Sequence, residues 1–169
     1  EGLDNEKITF KSTLDNIKEK IFNSFDQHKN FDVIGGLHIS GGTDSAVISA
    51  LANIFKLNES LKTYTFTFEN KKFSELGDAK EIAKSSNLLN KSALLEDEEV
   101  GKFLYKVIDA EFEPFSSLRI LSQHHLYKTY KNDLKVIIDG SGGDEIGAGY
   151  IYYALPWYLD ILNDKKTKK

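Results

Sequence analysis

The stretch Asp32-Val33-Ile34-Gly35-Gly36-Leu37-His38-Ile39-Ser40-Gly41-Gly42-Thr43-Asp44-Ser45-Ala46-Val47-Ile48 constrains this chain more than any other. Val33, Ile34, Leu37 and Ile39 predict a buried strand. Ser40-Gly41-Gly42 continues neither strand nor helix and predicts a tight turn. A helix then runs from Asp44 to Phe55. Asp44 and Ser45 fall in its first turn, where free N–H groups and the positive dipole end lie. Small residues let backbone amides approach a phosphate there, and the hydroxyls of Ser40, Thr43 and Ser45 add donors. A carboxylate is odd in a site for phosphate alone. Asp44 makes sense if a divalent cation lies between it and the phosphates. The spacing is not that of a Walker loop, which needs four residues between its glycines and a following lysine. Nor is it the dinucleotide fingerprint, whose third glycine is missing. A strand–turn–helix corner with glycines for packing only is the plainer alternative.

Composition closes several other routes. At 169 residues one domain is the default, expected over 1–163, with a frayed basic tail at 164–169. A net charge of −4 argues against a general nucleic-acid binder. No long apolar run or signal-peptide pattern occurs, so a cytoplasmic protein without a membrane partner is expected. Cysteine is absent, which excludes disulfides, thiolate zinc sites and a cysteine nucleophile in this chain. With Glu1 first and no methionine, the chain reads as processed or as an excised segment.

Around the central stretch, strands and helices alternate. After a polar opening, Glu1 to Lys7, a helix is expected from Ser12 to His28, capped by Ser12 with Asp15 three residues on. Its Leu14, Ile17, Ile21 and Phe25 would cover one sheet face. Leu61 to Phe68 is strongly β by alternation. Glu69 to Lys72 is a polar loop. Ser74 to Ser86 is helical, with Leu76, Ala79, Ile82 and Ala83 on one face. Ser92 to Leu95 is a short strand, and the acids Glu96 to Glu99 open a helix toward Ala110. Pro114 interrupts. A helix from Ser116 to Tyr130 would turn Leu118, Leu121, His125 and Tyr127 inward. His124 and His125 are adjacent and do not face one direction, so joint metal ligation is not expected. Leu134 to Ile138 is the last strand, and 151–163 an apolar helix. The pattern predicts an α/β fold, a parallel sheet with helices on both faces. Both glycine turns leave carboxyl ends of strands, the side where ligands bind.

The second turn is Asp139-Gly140-Ser141-Gly142-Gly143-Asp144-Glu145-Ile146-Gly147-Ala148-Gly149-Tyr150. Ser40-Gly41-Gly42-Thr43-Asp44-Ser45 resembles the PP-loop of the ATP pyrophosphatase superfamily. The second turn resembles the Ser-Gly-(Glu/Asp)-Gly-x-Asp-Glu-Leu-Phe-Gly-Gly-Tyr stretch of the asparagine synthetase family. Thr65 to Glu69 and Glu113-Pro114-Phe115 resemble segments of the same family, in the same order. The PP-loop alone leaves GMP, NAD, argininosuccinate and tRNA-modifying synthetases open. The second turn selects among them.

The resemblance implies a PP-loop fold, like that of the adenine nucleotide alpha hydrolases and Rossmann-like. It implies ATP and magnesium as cofactors. Ser40, Gly41, Gly42, Thr43, Asp44 and Ser45 would hold pyrophosphate. Asp44 and Asp144 would share magnesium. Backbone near His38, Phe66 and Gly140 would border the adenosine. A small carboxylate would attack the α-phosphate, and ammonia the resulting acyl-adenylate. The family's acidic residue in the second turn aligns with Ser141, and a neutral serine cannot take a proton from the ammonium-like intermediate that ammonia attack forms; Asp139 or Glu145 are the candidate substitutes. The family's phenylalanine is Gly147, and Ala46 follows Ser45 where the family has serine. The glutaminase domain and a later lysine of the family have no counterpart here, so a separate glutaminase or a missing C-terminal segment is an expected partner. For Asp144 the plain alternative is a helix cap. For Tyr150, Tyr152, Tyr153 and Trp157 it is core packing or a missing-domain interface. Two other functions compete with carboxylate amidation. One is a catalytically weak or inactive nucleotide-binding module. The other is a PP-loop ligase with a different acyl acceptor.

Overall fold

The computed structural model describes residues 9–167. The opening Glu1 to Lys7, and Lys168 and Lys169 of the tail, lie outside the described residues. The backbone groups into two compact units, one ending at Asp139 and one running from Gly140.

The first unit alternates helix and strand as α1 (Phe10–His28), β1 (Gly35–His38), α2 (Thr43–Ile54), β2 (Leu61–Phe68), α3 (Leu76–Ser85), β3 (Asn90–Leu95), α4 (Asp97–Glu111), α5 (Arg119–Tyr130) and β4 (Val136–Ile138). The four strands form one sheet in the order β3-β2-β1-β4. Every pairing is parallel, with Gly35 opposite both Leu61 and Val136. The chain therefore steps outward from β1 through β2 to β3, then returns to the far side of β1. That reversal lies between β1 and β4, and their carboxyl ends are where a ligand crevice is expected.

Period-two alternation divides the core. Leu37, Ile39 and Leu61 pack with Phe25 of α1, Leu51 and Ala52 of α2, and Ala79 and Ala83 of α3. Tyr64, on the opposite face of β2, packs with Leu126 and Tyr130 of α5. Leu95 packs with Phe103 and Val107 of α4 and Leu121 of α5. Helices thus cover both faces, as expected.

Several boundaries differ from the sequence expectation. The cap of α1 is Thr9, not Ser12. Ser12 is the third helical residue, and Thr9 and Ser12 each accept the other's backbone N–H at 3.1 Å. Only Phe25 of the α1 stripe is buried, while Leu14, Ile17 and Ile21 are exposed. Val33 and Ile34 are exposed and precede β1, which begins at two glycines. A Cβ on Gly35 would lie 2.0 Å from the Phe31 ring, and one on Gly36 2.7 Å from the Lys62 carbonyl. Close approach, not β-branching, decides where this strand runs. Helix α5 starts at Arg119 rather than Ser116; its Leu121 and His125 are buried as expected, whereas Leu118, in the cap position, and Tyr127 are exposed. Part of the loop at 69–72 is a 3₁₀ turn, Lys71–Phe73, capped by Asn70.

The second unit contains α6 (Gly143–Gly147), a 3₁₀ turn over Ile151–Tyr153, and α7 (Ala154–Thr167). The tail from residue 164 is helical as far as Thr167. Tyr152 and Trp157 are exposed, so core packing does not account for them. No described helix is long and apolar enough to cross a membrane.

Candidate functional site

The first glycine turn starts where β1 ends. Ile39 N–H donates to the Tyr64 carbonyl at 3.0 Å, the last rung of the ladder. The Ile39 carbonyl accepts from the Thr65 hydroxyl at 2.6 Å. Thr65 Oγ1 in turn accepts from the Asn90 side-chain amide at 2.7 Å. A bracket from β2 and β3 thereby fixes the carbonyl immediately before Ser40.

The turn braces itself through two serines. Ser45 Oγ lies 2.9 Å from the carbonyls of Ser40 and Gly42 and accepts from Ser40 N–H at 3.2 Å. Ser40 Oγ accepts from Gly42 N–H at 3.2 Å. Ser45 is buried, so its hydroxyl is engaged within the turn rather than presented outward. Helix α2 begins at Thr43, one residue earlier than expected, after Gly42 in extended geometry without a side-chain cap. The first N–H groups of α2 have no intrahelical acceptor. Asp44 lies half-buried in that first turn. In the turn before the helix, Gly41 N–H donates to Glu75 Oε2 at 3.2 Å.

His38, the last residue of β1, turns toward α5. Its Nε2 pairs with the Tyr130 hydroxyl at 2.9 Å. Burial pushes the His38 pKa down, against an opposing pull from Asp139 at the end of β4. Burial also raises the Tyr130 hydroxyl pKa well above the usual tyrosine range. Phe66 projects to the same face, edge-on to Phe68 and His125.

In the second unit, Gly142 adopts φ +94° before α6, a left-handed conformation that suits glycine. Gly143 N–H donates to the Gly140 carbonyl at 3.2 Å. Asp144 and Glu145 occupy the first turn of α6, and Asp144 offers its carbonyl to Gly149 N–H at 2.9 Å. Gly142, not Asp144, is the residue in the capping position. The Tyr150 hydroxyl donates to Glu145 Oε1 at 2.8 Å, and that carboxylate pushes the Tyr150 pKa up to about 12. Ser141 is exposed.

Among the described residues no three histidine, aspartate or glutamate side chains cluster as a ready metal cage. Magnesium bound with a nucleotide needs only one or two protein carboxylates, because phosphates and water supply the rest. His124 pairs with Glu111 and His125 is buried, so the two histidines do diverge as expected. The structure brings Ser40, Gly41, Gly42, Thr43, Asp44 and Ser45 into one turn. It also adds Glu75, Thr65 and Tyr130, which sequence reasoning missed. Each acts across a contact with no periodic signature; an acid directly before a helix was the one cue to Glu75.

Comparison with known proteins agrees with this geometry. The asparagine synthase family matches residues 16–166. Asparagine synthetase [glutamine-hydrolyzing] 1 of Bacillus subtilis is 32% identical over 143 residues, which cover 85% of this chain and 22% of that protein. The putative asparagine synthetase [glutamine-hydrolyzing] of Mycobacterium bovis is 29% identical over 145 residues, 86% of this chain and 22% of the relative. This chain thus spans about a fifth of the length of these curated relatives. The solved NH3-dependent NAD synthetase of Campylobacter jejuni superposes with a TM-score of 0.53 at 21% identity, over 80% of this chain and 60% of its own. That likeness concerns the fold, a PP-loop α/β architecture. With the family matched over most of its residues and the parallel sheet in place, the chain belongs to the asparagine synthase family.

Proposed function

We propose that this chain is the ATP-binding part of a ligase that amidates a small carboxylate and releases AMP and pyrophosphate through an acyl-adenylate. The observation that carries the reading is the Ser40–Ser45 turn, which opens helix α2 at the carboxyl end of β1. There the free amides of α2 and the dipole meet the phosphates. Ser40 and Ser45 hold the turn open for that approach. Backbone near His38 and Phe66 borders the adenosine, and Gly140 is assigned there on the sequence resemblance alone.

Asp44 suits magnesium. It is an oxygen donor with no ion-pair partner among the described residues, in a turn built for phosphate. When bound, magnesium would neutralise charge on the leaving pyrophosphate. Asp144 is assigned as a ligand on the sequence resemblance alone. Glu145, oriented by Tyr150, is the acid–base candidate that Ser141 leaves open. A glutaminase acting with this chain would supply the ammonia, and a cytoplasmic setting suits such a reaction.

Pyrophosphate release from ATP, scanned over carboxylic acids with ammonium and magnesium, tests the reaction. Asp44→Asn tests the metal role: magnesium-dependent ATP affinity falls at least about tenfold. A mere dipole effect costs about 0.3–1 kcal/mol of stability and leaves the metal response unchanged. A second reading, a nucleotide-binding module without turnover, is favoured by Ser141 at the family's acid position. It predicts ATP binding with no carboxylate-dependent pyrophosphate release.

A further inference from the structure

Helix α4 carries Glu99, Lys102 and Lys106 at spacings of three and four, so the three share one face. Helix α5 packs against α4 and carries Lys128 about one turn beyond His125. Together with Leu95 of β3 and Phe103, these residues line a cleft of about 110 Å3. None of them belongs to the Ser40–Ser45 turn. Lys102, Lys106 and Lys128 have no ion-pair partner among the described residues, Glu99 included. Lys128 Nζ lies 5.8 Å from the centre of the Phe103 ring instead. The lining therefore carries three positive charges against one negative, in a chain whose net charge is −4. At the inner wall, His125 is only 9% exposed and stands edge-on to Phe66 and Phe103. Its Nδ1 is buried without a hydrogen-bond partner. Native structures leave few such atoms unpaired, and an absent ion is one of the ordinary reasons. Burial lowers the His125 pKa; the Leu94 backbone and Glu99 oppose that, and Lys128 adds to it.

The donor set selects the ligand. Three ammonium groups and an imidazole offer more donors than the two oxygens of a carboxylate can use. A phosphate group brings about −1.5 to −2 of charge and three strong acceptor oxygens. That charge offsets the surplus of two positive charges on the lining. The cleft also has room for such a group, being several times the roughly 30 Å3 that one water occupies in the liquid. We infer that the cleft between α4 and α5 binds a phosphate group on Lys102, Lys106 and Lys128, with His125 at its inner wall. The bound anion favours the charged imidazole, both of whose nitrogens donate, so Nδ1 gains a role.

NMR of the His125 ring in the whole chain tests this, with ionic strength held constant by sodium chloride. The probes are inorganic phosphate, glycerol phosphate as a monoester, and acetate as a carboxylate control. Phosphate or its monoester should shift the ring resonances saturably, with a Kd of about 1 mM, and raise the ring's pKa. The tighter of the two identifies the free anion or a monoester as the source, and either supports the site. Lys102→Gln with Lys106→Gln should weaken that binding about tenfold, and Lys128→Gln about threefold. All three lysines are exposed, so these variants keep the fold, which circular dichroism checks. Acetate binding as tightly as phosphate overturns the inference. So does a phosphate affinity that the lysine changes leave unaltered, or a His125 ring that does not respond; phosphate held at the Ser40–Ser45 turn alone would give both of those results.

Discussion

Replacing Thr65 by valine removes one hydroxyl from the base of the Ser40–Ser45 turn at nearly constant volume. That hydroxyl donates to the Ile39 carbonyl at 2.6 Å and accepts from Asn90 Nδ2 at 2.7 Å. Ile39 and Thr65 are both buried, at 2% exposure each, so no water readily replaces the lost donor. Leaving a buried carbonyl without that donor costs about 1–3 kcal/mol. Asn90 is half-buried and can turn part of its amide to water, which adds little. The sum is about 2 kcal/mol for Thr65→Val. Thr65→Ser keeps both hydrogen bonds and deletes one methyl, at about 0.8 kcal/mol. Urea unfolding followed by circular dichroism reads the difference. With a slope of about 2 kcal/mol/M, the valine midpoint falls by about 1 M and the serine midpoint by about half as much. ATP affinity should follow the same order, because Ile39 is joined directly to Ser40. A valine variant as stable as the serine variant, or more so, would refute the hydrogen-bond argument and leave packing as what fixes this position.

Gly149→Ala should perturb Asp144 without replacing it. The new Cβ would lie 2.1 Å from Asp144 Oδ1, so the carboxylate must swing away. Because Asp144 is exposed, stability changes by less than about 1 kcal/mol, while the magnesium dependence of ATP binding weakens; titration of magnesium against ATP binding checks it. Gly77→Ala, where nothing lies within 4 Å, should stabilise α3 by about 0.5–1 kcal/mol in the same urea assay. Burial lowers the pKa of both His38 and His125, so the unfolded chain takes up those protons first. Their contribution is therefore complete above about pH 6.5 and is lost as pH falls from there toward the folded-state values. His38→Gln should flatten the decline in unfolding free energy below that pH, and an unchanged slope would rule His38 out.

The glycine turns, the parallel sheet and the two-sided helical cover were legible because each rests on local chemistry. Gly41 and Gly42 punctuate the chain wherever it folds, and the threonines and aromatics of Leu61–Phe68 alternate with the pleat. What stayed hidden depends on partners distant in sequence. The apolar stripe of α1 has the right period, yet only Phe25 is buried, because periodicity says which residues share a face and not whether anything covers it. Val33 and Ile34 outscore Gly35 and Gly36 in strand preference, but the Phe31 ring and the neighbouring backbone leave space only for glycine. Glu75 and Gly41 are 34 positions apart, and one exposed acid bonded to one amide leaves no trace in spacing or composition.

The placement of β4 beside β1 bears on the order of folding. β1 finds β2 across a short loop through α2, whereas β4 must return across most of the first unit to reach the same strand. The second closure spans a loop about four times longer, two doublings at about 0.6 kcal/mol each. β4 is also only three residues long and half-buried, so it recovers little of that entropy through its own contacts. β1, β2 and β3 therefore assemble at lower entropic cost, and β4 is the natural last strand to join and first to detach. Amide exchange at Val136–Ile138 should outpace exchange within Leu61–Phe68, so the edge that carries Asp139 opens while the Ser40–Ser45 turn stays built.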